Sequence, residues 1–167
     1  MTWLFLVIIV VVLSFGLVVF LGAPYLPTLK FQAQAAVDMI GLKPGETLLE
    51  LGSGDGRVLI LAAAAGLNVV GIEINPVLVF VSWLRTRRYR HQVKIVWGNL
   101  WQREKWPDAD GIFVFLLPKY MKKLDAEITM WHARRDTSLR LVSFAFPIPD
   151  KRIVAQRKCG VYLYEYR

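Results

Sequence analysis

The hydrophobic pattern of the chain begins with a long apolar run and then becomes periodic. Residues Trp3 to Ala23 contain no charged side chain. At about 1.5 Å of rise per residue, a helix of this length spans on the order of 30 Å, the thickness of a bilayer's hydrocarbon core. The run predicts one transmembrane helix over residues 1–23 that contacts the lipid bilayer through residues 3–23. A cleavable signal peptide is the alternative, but the first three residues lack its usual basic charge.

A segment punctuated by prolines follows the apolar run. Pro24 and Pro27 are expected to end the first helix, and Thr28 is placed to cap the next one. That second helix is predicted from Leu29 to Ile40, before Gly41. Residues 24–45 are therefore predicted to be a hinge and a leading helix.

From residue 46 onward, β-rich and helical patterns alternate. The first four β-rich runs are Thr47–Leu51, Asn68–Ile74, Val93–Trp97 and Gly111–Leu117. Helical patterns cover Arg57–Ala65, Pro76–Arg90 and Lys119–Arg134. The last three β-rich runs, Leu139–Phe146, Ile153–Arg157 and Val161–Tyr166, have no helix between them. This order predicts an α/β fold for residues 46–167: a Rossmann-like, doubly wound, seven-stranded sheet that is mostly parallel, with an antiparallel C-terminal hairpin.

Composition narrows the chemistry. The 167 residues carry a net charge of +8, and the first charged residue is Lys30. One cysteine cannot form an internal disulfide, and the two histidines are far apart, so no metal site is predicted. By the positive-inside tendency, the basic region favours the cytoplasmic side of a membrane.

The most informative motif is an apolar strand that leads into alternating glycines, from Leu48 to Arg57. Glycines at such a turn let a ligand approach the backbone at a helix N-terminus. A dinucleotide site has a third glycine one residue later, where this chain has Arg57, and the carboxylate of Glu50 would repel a pyrophosphate but suit an ammonium group. Glu73, at the end of the second strand, is placed to accept hydrogen bonds from both ribose hydroxyls.

Together these motifs resemble the class I, seven-strand S-adenosylmethionine-dependent methyltransferases. The resemblance implies that the glycine loop binds the methionine part of the cofactor and Glu73 its ribose. Asn99, where many members have Asp, is implied at the adenine edge. The implied cofactor site consists of Glu50, Gly52, Ser53, Gly54, Gly56, Glu73, Asn99 and Leu100.

A closer resemblance covers almost the whole chain. It includes the hinge at residues 24–28, Gly-Asn-Leu-Trp at 98–101, Leu-Pro-Lys-Tyr-Met at 117–121 and Phe-Ala-Phe-Pro at 144–147. These motifs resemble the membrane-anchored lysine methyltransferases of the ATP synthase c subunit and the adenine nucleotide translocase, and their prokaryotic relatives. The resemblance implies a lysine acceptor on a membrane or membrane-associated protein, and it implies that Tyr25 and Thr28 lie over the cofactor. The predicted localisation is a single-pass membrane protein with its catalytic domain on the cytoplasmic side, in a prokaryotic or a mitochondrial inner membrane.

Aromatic residues are predicted to line the acceptor site, because desolvation lowers the pKa of an acceptor lysine. The candidates are the aromatic residues Trp101, Tyr120, Phe144 and Phe146, together with Pro118. No residue is assigned as a general base. Base methylation is disfavoured, and no nucleic-acid partner is predicted, because leucine replaces the polar residue that begins an Asn-Pro-Pro-Tyr motif. A lipid or small-molecule methyltransferase and a non-catalytic adenosine-ligand binding module remain the alternatives.

Overall fold

The computed structural model describes residues 29–167 together with residues 3–6, 8, 9, 12 and 16. Most of the predicted transmembrane run, and the hinge with Tyr25 and Thr28, lie outside the described residues. Within the described part of the chain, no helix has the length and apolar character that crossing a membrane requires. This finding contradicts the predicted single-pass localisation, and bilayer contact through residues 3–23 is not shown.

In the part of the chain that the structure describes, seven strands form one sheet in the order β3-β2-β1-β4-β5-β7-β6. Their bounds are β1 Thr47–Leu51, β2 Asn68–Glu73, β3 Val93–Trp97, β4 Gly111–Val114, β5 Leu139–Phe144, β6 Ala155–Arg157 and β7 Val161–Tyr166. The first five strands pair in parallel, and β7 pairs antiparallel with both β5 and β6. The predicted seven-stranded α/β sheet with an antiparallel C-terminal hairpin is confirmed.

Between residues 29 and 167, four helices pack on this sheet: α1 Lys30–Ile40, α2 Arg57–Ala64, α3 Pro76–Thr86 and α4 Pro118–His132. Helices α1 and α2 contribute to one buried apolar cluster, and α4 contributes to a second. In β1, Leu48 belongs to the first cluster and Leu49 to the second, as the alternation of side chains along a strand requires. Both faces of the central strands are therefore covered, which explains why their sequences are almost continuously apolar.

Several element ends differ from the sequence prediction for local reasons. The third helix ends at Thr86 and continues as a short 3-10 turn, Arg87–Tyr89. Strand β4 ends at Val114, four residues before Pro118 begins α4. Strand β5 ends at Phe144 because Ala145 adopts a positive φ of 67°, which turns the chain out of the extended conformation.

Candidate active site

The candidate site lies where the order of the strands reverses. Strands β1 and β4 are parallel neighbours, with Leu51 opposite Val114 at their carboxyl ends. The chain leaves β1 for α2 on one face and leaves β4 for α4 on the other face. Such a divergence opens a crevice beyond the strand ends, the usual ligand site in open α/β sheets.

The glycine loop forms the floor of this crevice. The N–H groups of Gly52 and Ser53 donate to the carbonyl of Ile72 at 2.9 and 3.0 Å, which fixes the loop to the end of β2. Gly52 has a φ of +87°, and a Cβ added there would meet nothing within 4 Å among the described residues. The backbone at Gly52 is therefore open to a ligand.

Gly56 has a different function in the same loop. Its φ is +78°, and an added Cβ would lie only 2.4 Å from Oγ of Ser82 on α3. Gly56 is needed so that α2 can begin directly against α3. One glycine thus leaves room for a ligand, and the other allows two helices to pack closely.

Glu50 is buried at the end of β1, with only 4% of its surface exposed. Its Oε2 has no hydrogen-bond partner among the described residues. Burial raises the pKa of Glu50 well above its ordinary value, and the nearby carboxylates of Glu73 and Asp55 raise it further. A buried carboxyl group with an unused oxygen suits a ligand that brings a hydrogen-bond donor or a positive charge.

Glu73 connects the glycine loop to the end of β2. Its Oε2 accepts from the N–H of Gly54, and its Oε1 accepts from the N–H of Asn75, each at 2.8 Å. Burial raises the pKa of Glu73, although these two hydrogen bonds act in the opposite direction. The carboxylate is thereby held in one orientation, and each oxygen retains a lone pair for a further donor.

The end of β3 continues the same edge of the crevice. The N–H of Gly98 donates to the carbonyl of Glu73 at 2.9 Å, which places Asn99 beside the end of β2. Oδ1 of Asn99 accepts from the N–H of Trp101 at 3.0 Å. The carbonyl of Leu100 accepts from the indole of Trp106 at 2.8 Å. Asn99 and Leu100, the two residues predicted at the adenine edge of the cofactor, therefore lie on a hydrogen-bonded turn beside the end of β2.

The predicted acceptor residues divide into two groups. The rings of Trp101 and Tyr120 pack together with centroids 5.9 Å apart, and both rest on the apolar cluster of the α4 face. Phe146 also packs on that cluster. The ring of Phe144 instead packs against the ring of Phe115, with centroids 4.7 Å apart, and belongs to the cluster of the α1 and α2 face.

Pro118 is the first residue of α4, and its fixed φ suits the first helical turn. It therefore sets the start of the helix that carries Tyr120. Tyr25 and Thr28 lie outside the described residues, and their proposed contact with the cofactor stays a prediction.

The sequence places Arg85 in a basic run, Arg85 to Lys94, that favours a solvated or lipid-facing surface, and it did not assign Arg85 to this site. Its guanidinium pairs with the carboxylate of Asp55 and donates to the carbonyl of the same residue at 3.1 Å. Arg57 binds this carboxylate through Nε at 2.8 Å. The glycine loop is thus held from outside by α3, and no local signal could have paired residues 55 and 85 across 30 positions of the chain.

Comparison with known proteins identifies the family. The family described as the ANTKMT methyltransferase domain matches residues 50–155. The chain belongs to this methyltransferase family.

Curated relatives agree with that assignment. The lysine N-methyltransferase of the ATP synthase c subunit from Rattus norvegicus is 32% identical over 75% of this chain and 57% of its own length. The adenine nucleotide translocase lysine N-methyltransferase of Mus musculus is 30% identical over 81% of this chain and 58% of its own length. The chain therefore spans somewhat more than half the length of these two relatives.

A solved structure with the same fold is an RNA methyltransferase from Salinibacter ruber in complex with S-adenosyl-L-homocysteine. It is 26% identical, with a TM-score of 0.73, and the match covers 84% of this chain and 92% of that chain. The predicted membership of the class I methyltransferases is confirmed by the family match and by this shared fold. The predicted cofactor-binding residues that the structure describes lie at or just beyond the carboxyl ends of β1, β2 and β3.

Proposed function

We propose that this protein is an S-adenosylmethionine-dependent methyltransferase that transfers a methyl group to the side-chain nitrogen of a protein lysine. One observation carries the proposal: Glu50, buried and with an unused oxygen, stands beside the open backbone of Gly52. The methionine part of the cofactor brings an ammonium group, the partner that such a carboxylate requires. Residues 46–167 form the proposed methyltransferase domain.

The ribose and the adenine of the cofactor are proposed to bind at the carboxyl ends of β2 and β3. In the proposed complex, the ribose hydroxyls donate to Glu73, whose orientation is already set by two backbone N–H groups. The adenine lies beside Asn99 and Leu100, where an amide oxygen is able to accept from the exocyclic amine. Ser53, Gly54 and Gly56 shape the loop around the methionine part. A side chain at Gly52 would occupy the same open space as the ligand.

The chain's own contribution to methyl transfer is positioning. The transfer is an in-line displacement, so the acceptor nitrogen, the methyl group and the sulfur must be aligned and water excluded. The half-buried rings of Trp101 and Tyr120 offer walls that shield an acceptor side chain from water, and this desolvation lowers the pKa of its amine. The proton is released to water, and no side chain needs to act as a general base.

The lysine acceptor is supported by the names of the curated relatives, which are lysine N-methyltransferases of two different proteins. The structural neighbour from Salinibacter ruber is called an RNA methyltransferase, so RNA must be tested as an acceptor alongside protein and lipid.

In the decisive experiment, the purified full chain is incubated with methyl-labelled S-adenosylmethionine and a host-cell extract. The extract is then separated into protein, lipid and RNA, and the labelled amino acid is identified after hydrolysis of the protein fraction. Label recovered as methyl-lysine in protein is the expected result. Label confined to lipid or to RNA would overturn the lysine proposal.

Two variants serve as controls for the same assay. Glu73→Ala is expected to abolish labelling, because it removes the proposed ribose ligand. Glu104→Ala, a change at an exposed carboxylate on the 3-10 turn Arg103–Lys105, is expected to label as the unchanged protein does. Equal labelling by both variants would contradict the assigned site.

A further inference from the structure

Two lysines of α4 place their own ammonium groups on the aromatic rings of the proposed acceptor site. Nζ of Lys123 lies 4.3 Å from the centroid of the Trp101 ring. Nζ of Lys119 lies 4.9 Å from the ring of Tyr120. The aromatic pair is therefore already in contact with the chemical group that the proposed reaction modifies.

Lys123 makes the more informative of these two contacts. Lys119 touches the ring of its immediate neighbour in sequence, whereas Lys123 reaches from α4 to a ring on the β3–β4 connection. Side chains on a helix lean toward its N-terminus, and α4 begins at the crevice, four residues beyond the end of β4. The Lys123 side chain is thus directed back toward the candidate site.

The surroundings of Lys123 also permit a reaction. Lys123 is exposed, so its long side chain is able to leave the Trp101 ring by rotation about single bonds. The Trp101 ring packs on the apolar cluster that contains Leu51, at the end of β1, and Leu116, just beyond β4. The apolar cluster under this ring thus extends to the ends of β1 and β4, which border the candidate site.

We propose that Lys123 is a site of self-methylation, in which the active site of a chain modifies its own α4. This inference rests on the proposed function. In the step, Nζ of neutral Lys123 forms a bond to the methyl carbon as the carbon–sulfur bond breaks. The sulfur keeps the electron pair in S-adenosylhomocysteine, and the proton lost from the ammonium goes to water.

The test uses the purified full chain and methyl-labelled S-adenosylmethionine, with no other acceptor present. Intact mass and peptide mapping are expected to show a gain of one or more methyl groups at Lys123. The fraction of chains modified per unit time is expected to be independent of protein concentration over a tenfold range, because donor and acceptor belong to one chain. A modified fraction per unit time that rises in proportion to protein concentration would overturn the intramolecular step.

Matched variants on the same helix sharpen this result. Lys123→Arg keeps the positive charge and is expected to lose at least nine-tenths of the label. Lys122→Arg changes the adjacent exposed lysine and is expected to keep the label. Label that moves to Lys119, or that persists in Lys123→Arg, would overturn the assignment to Lys123.

Calorimetric titration with S-adenosylmethionine distinguishes a failure of self-methylation from a failure of the proposed function. A chain that binds the cofactor and methylates extract proteins, but leaves Lys123 unmodified, would refute self-methylation and leave the proposed function intact. A chain that neither binds the cofactor nor labels any acceptor would refute both proposals. We expect the unchanged protein and both lysine variants to bind S-adenosylmethionine with affinities that differ by no more than about twofold.

Discussion

The cofactor side and the acceptor side of the crevice are built in different ways. On the cofactor side, backbone hydrogen bonds hold the glycine loop and Glu73, and the decisive side chains are buried. On the acceptor side, half-buried rings from a connection and from the start of α4 meet through packing. A backbone network tolerates few substitutions, whereas packed rings at a surface are able to change with the acceptor. The two sides should therefore respond differently to mutation.

Glu73→Ala should have the largest effect, and it should fall on the cofactor side. Each hydrogen bond to a charged group contributes about 1.5–3 kcal/mol, so losing two ribose contacts predicts at least about a 100-fold weaker affinity for S-adenosylmethionine. Calorimetric titration measures this change, with Glu104→Ala as the control. The proposed division between the two sides would be contradicted if Glu73→Ala kept its affinity for S-adenosylmethionine. Circular dichroism must show that the variant is folded.

Alanine at the two loop glycines should separate ligand access from packing. Both positions have positive φ, which costs an L-residue about 1–2 kcal/mol. At Gly56 the new Cβ also meets Ser82, so Gly56→Ala should lower the free energy of unfolding more than Gly52→Ala does. Gly52→Ala should lose only the backbone contribution to stability, because its Cβ meets no neighbour among the described residues, and it should weaken cofactor binding.

Urea unfolding and calorimetry together test this pair. Adding Ser82→Ala to Gly56→Ala should restore part of the lost stability, because the hydroxyl oxygen is the atom closest to the new Cβ. The same second change should restore nothing in Gly52→Ala. Equal losses of stability at the two glycines would contradict the assignment of different functions.

The pH dependence of stability should report the buried Glu50. Its pKa is raised in the folded protein, so folding stability without cofactor is fully present below the unfolded value of about 4.5 and falls as the pH rises through the folded pKa. Within that window the loss is at most about 1.4 kcal/mol for each pH unit. Glu50→Gln should remove this loss and be the more stable protein at pH 8, without an advantage at pH 4.

Thermal unfolding of both proteins between pH 4 and pH 8 provides the measurement. Saturating S-adenosylmethionine should reverse the order at pH 8, because the cofactor's ammonium compensates the carboxylate of Glu50 and gains less from an amide. Parallel stability curves for the two proteins without cofactor would contradict the account of Glu50.

Trp101→Ala should have the smallest effect on binding and a clear effect on transfer. It removes one wall of the proposed acceptor site, which predicts about a tenfold slower methyl transfer, or about 1.4 kcal/mol. The affinity for S-adenosylmethionine should stay within about twofold. Trp83→Ala, a change at an exposed tryptophan of α3, is the matched control and should alter neither quantity. A large loss of cofactor affinity in Trp101→Ala would place this ring on the wrong side of the crevice.

Much of the cofactor side was predictable because its signals are local. A strand followed by alternating glycines and a helix is readable within ten residues, and Glu73 is marked by the end of the next strand. The acceptor side was less predictable, because its rings come from separate elements. Phe144 and Phe146 are two residues apart, yet they pack with clusters on opposite faces of the sheet, and the positive φ of Ala145 lies between them.

The sequence by itself determined the order of strands and helices, the glycine loop and the family, since each depends on a short pattern or on residue identity. Only the tertiary structure decided that Arg85 holds Asp55, that Trp101 meets Tyr120, and that Lys123 lies on the Trp101 ring. It also showed no membrane-crossing helix in the described residues, against the apolar run's prediction. Contacts between distant residues depend on how whole elements pack, and a local pattern of apolar and polar positions carries no information about that geometry.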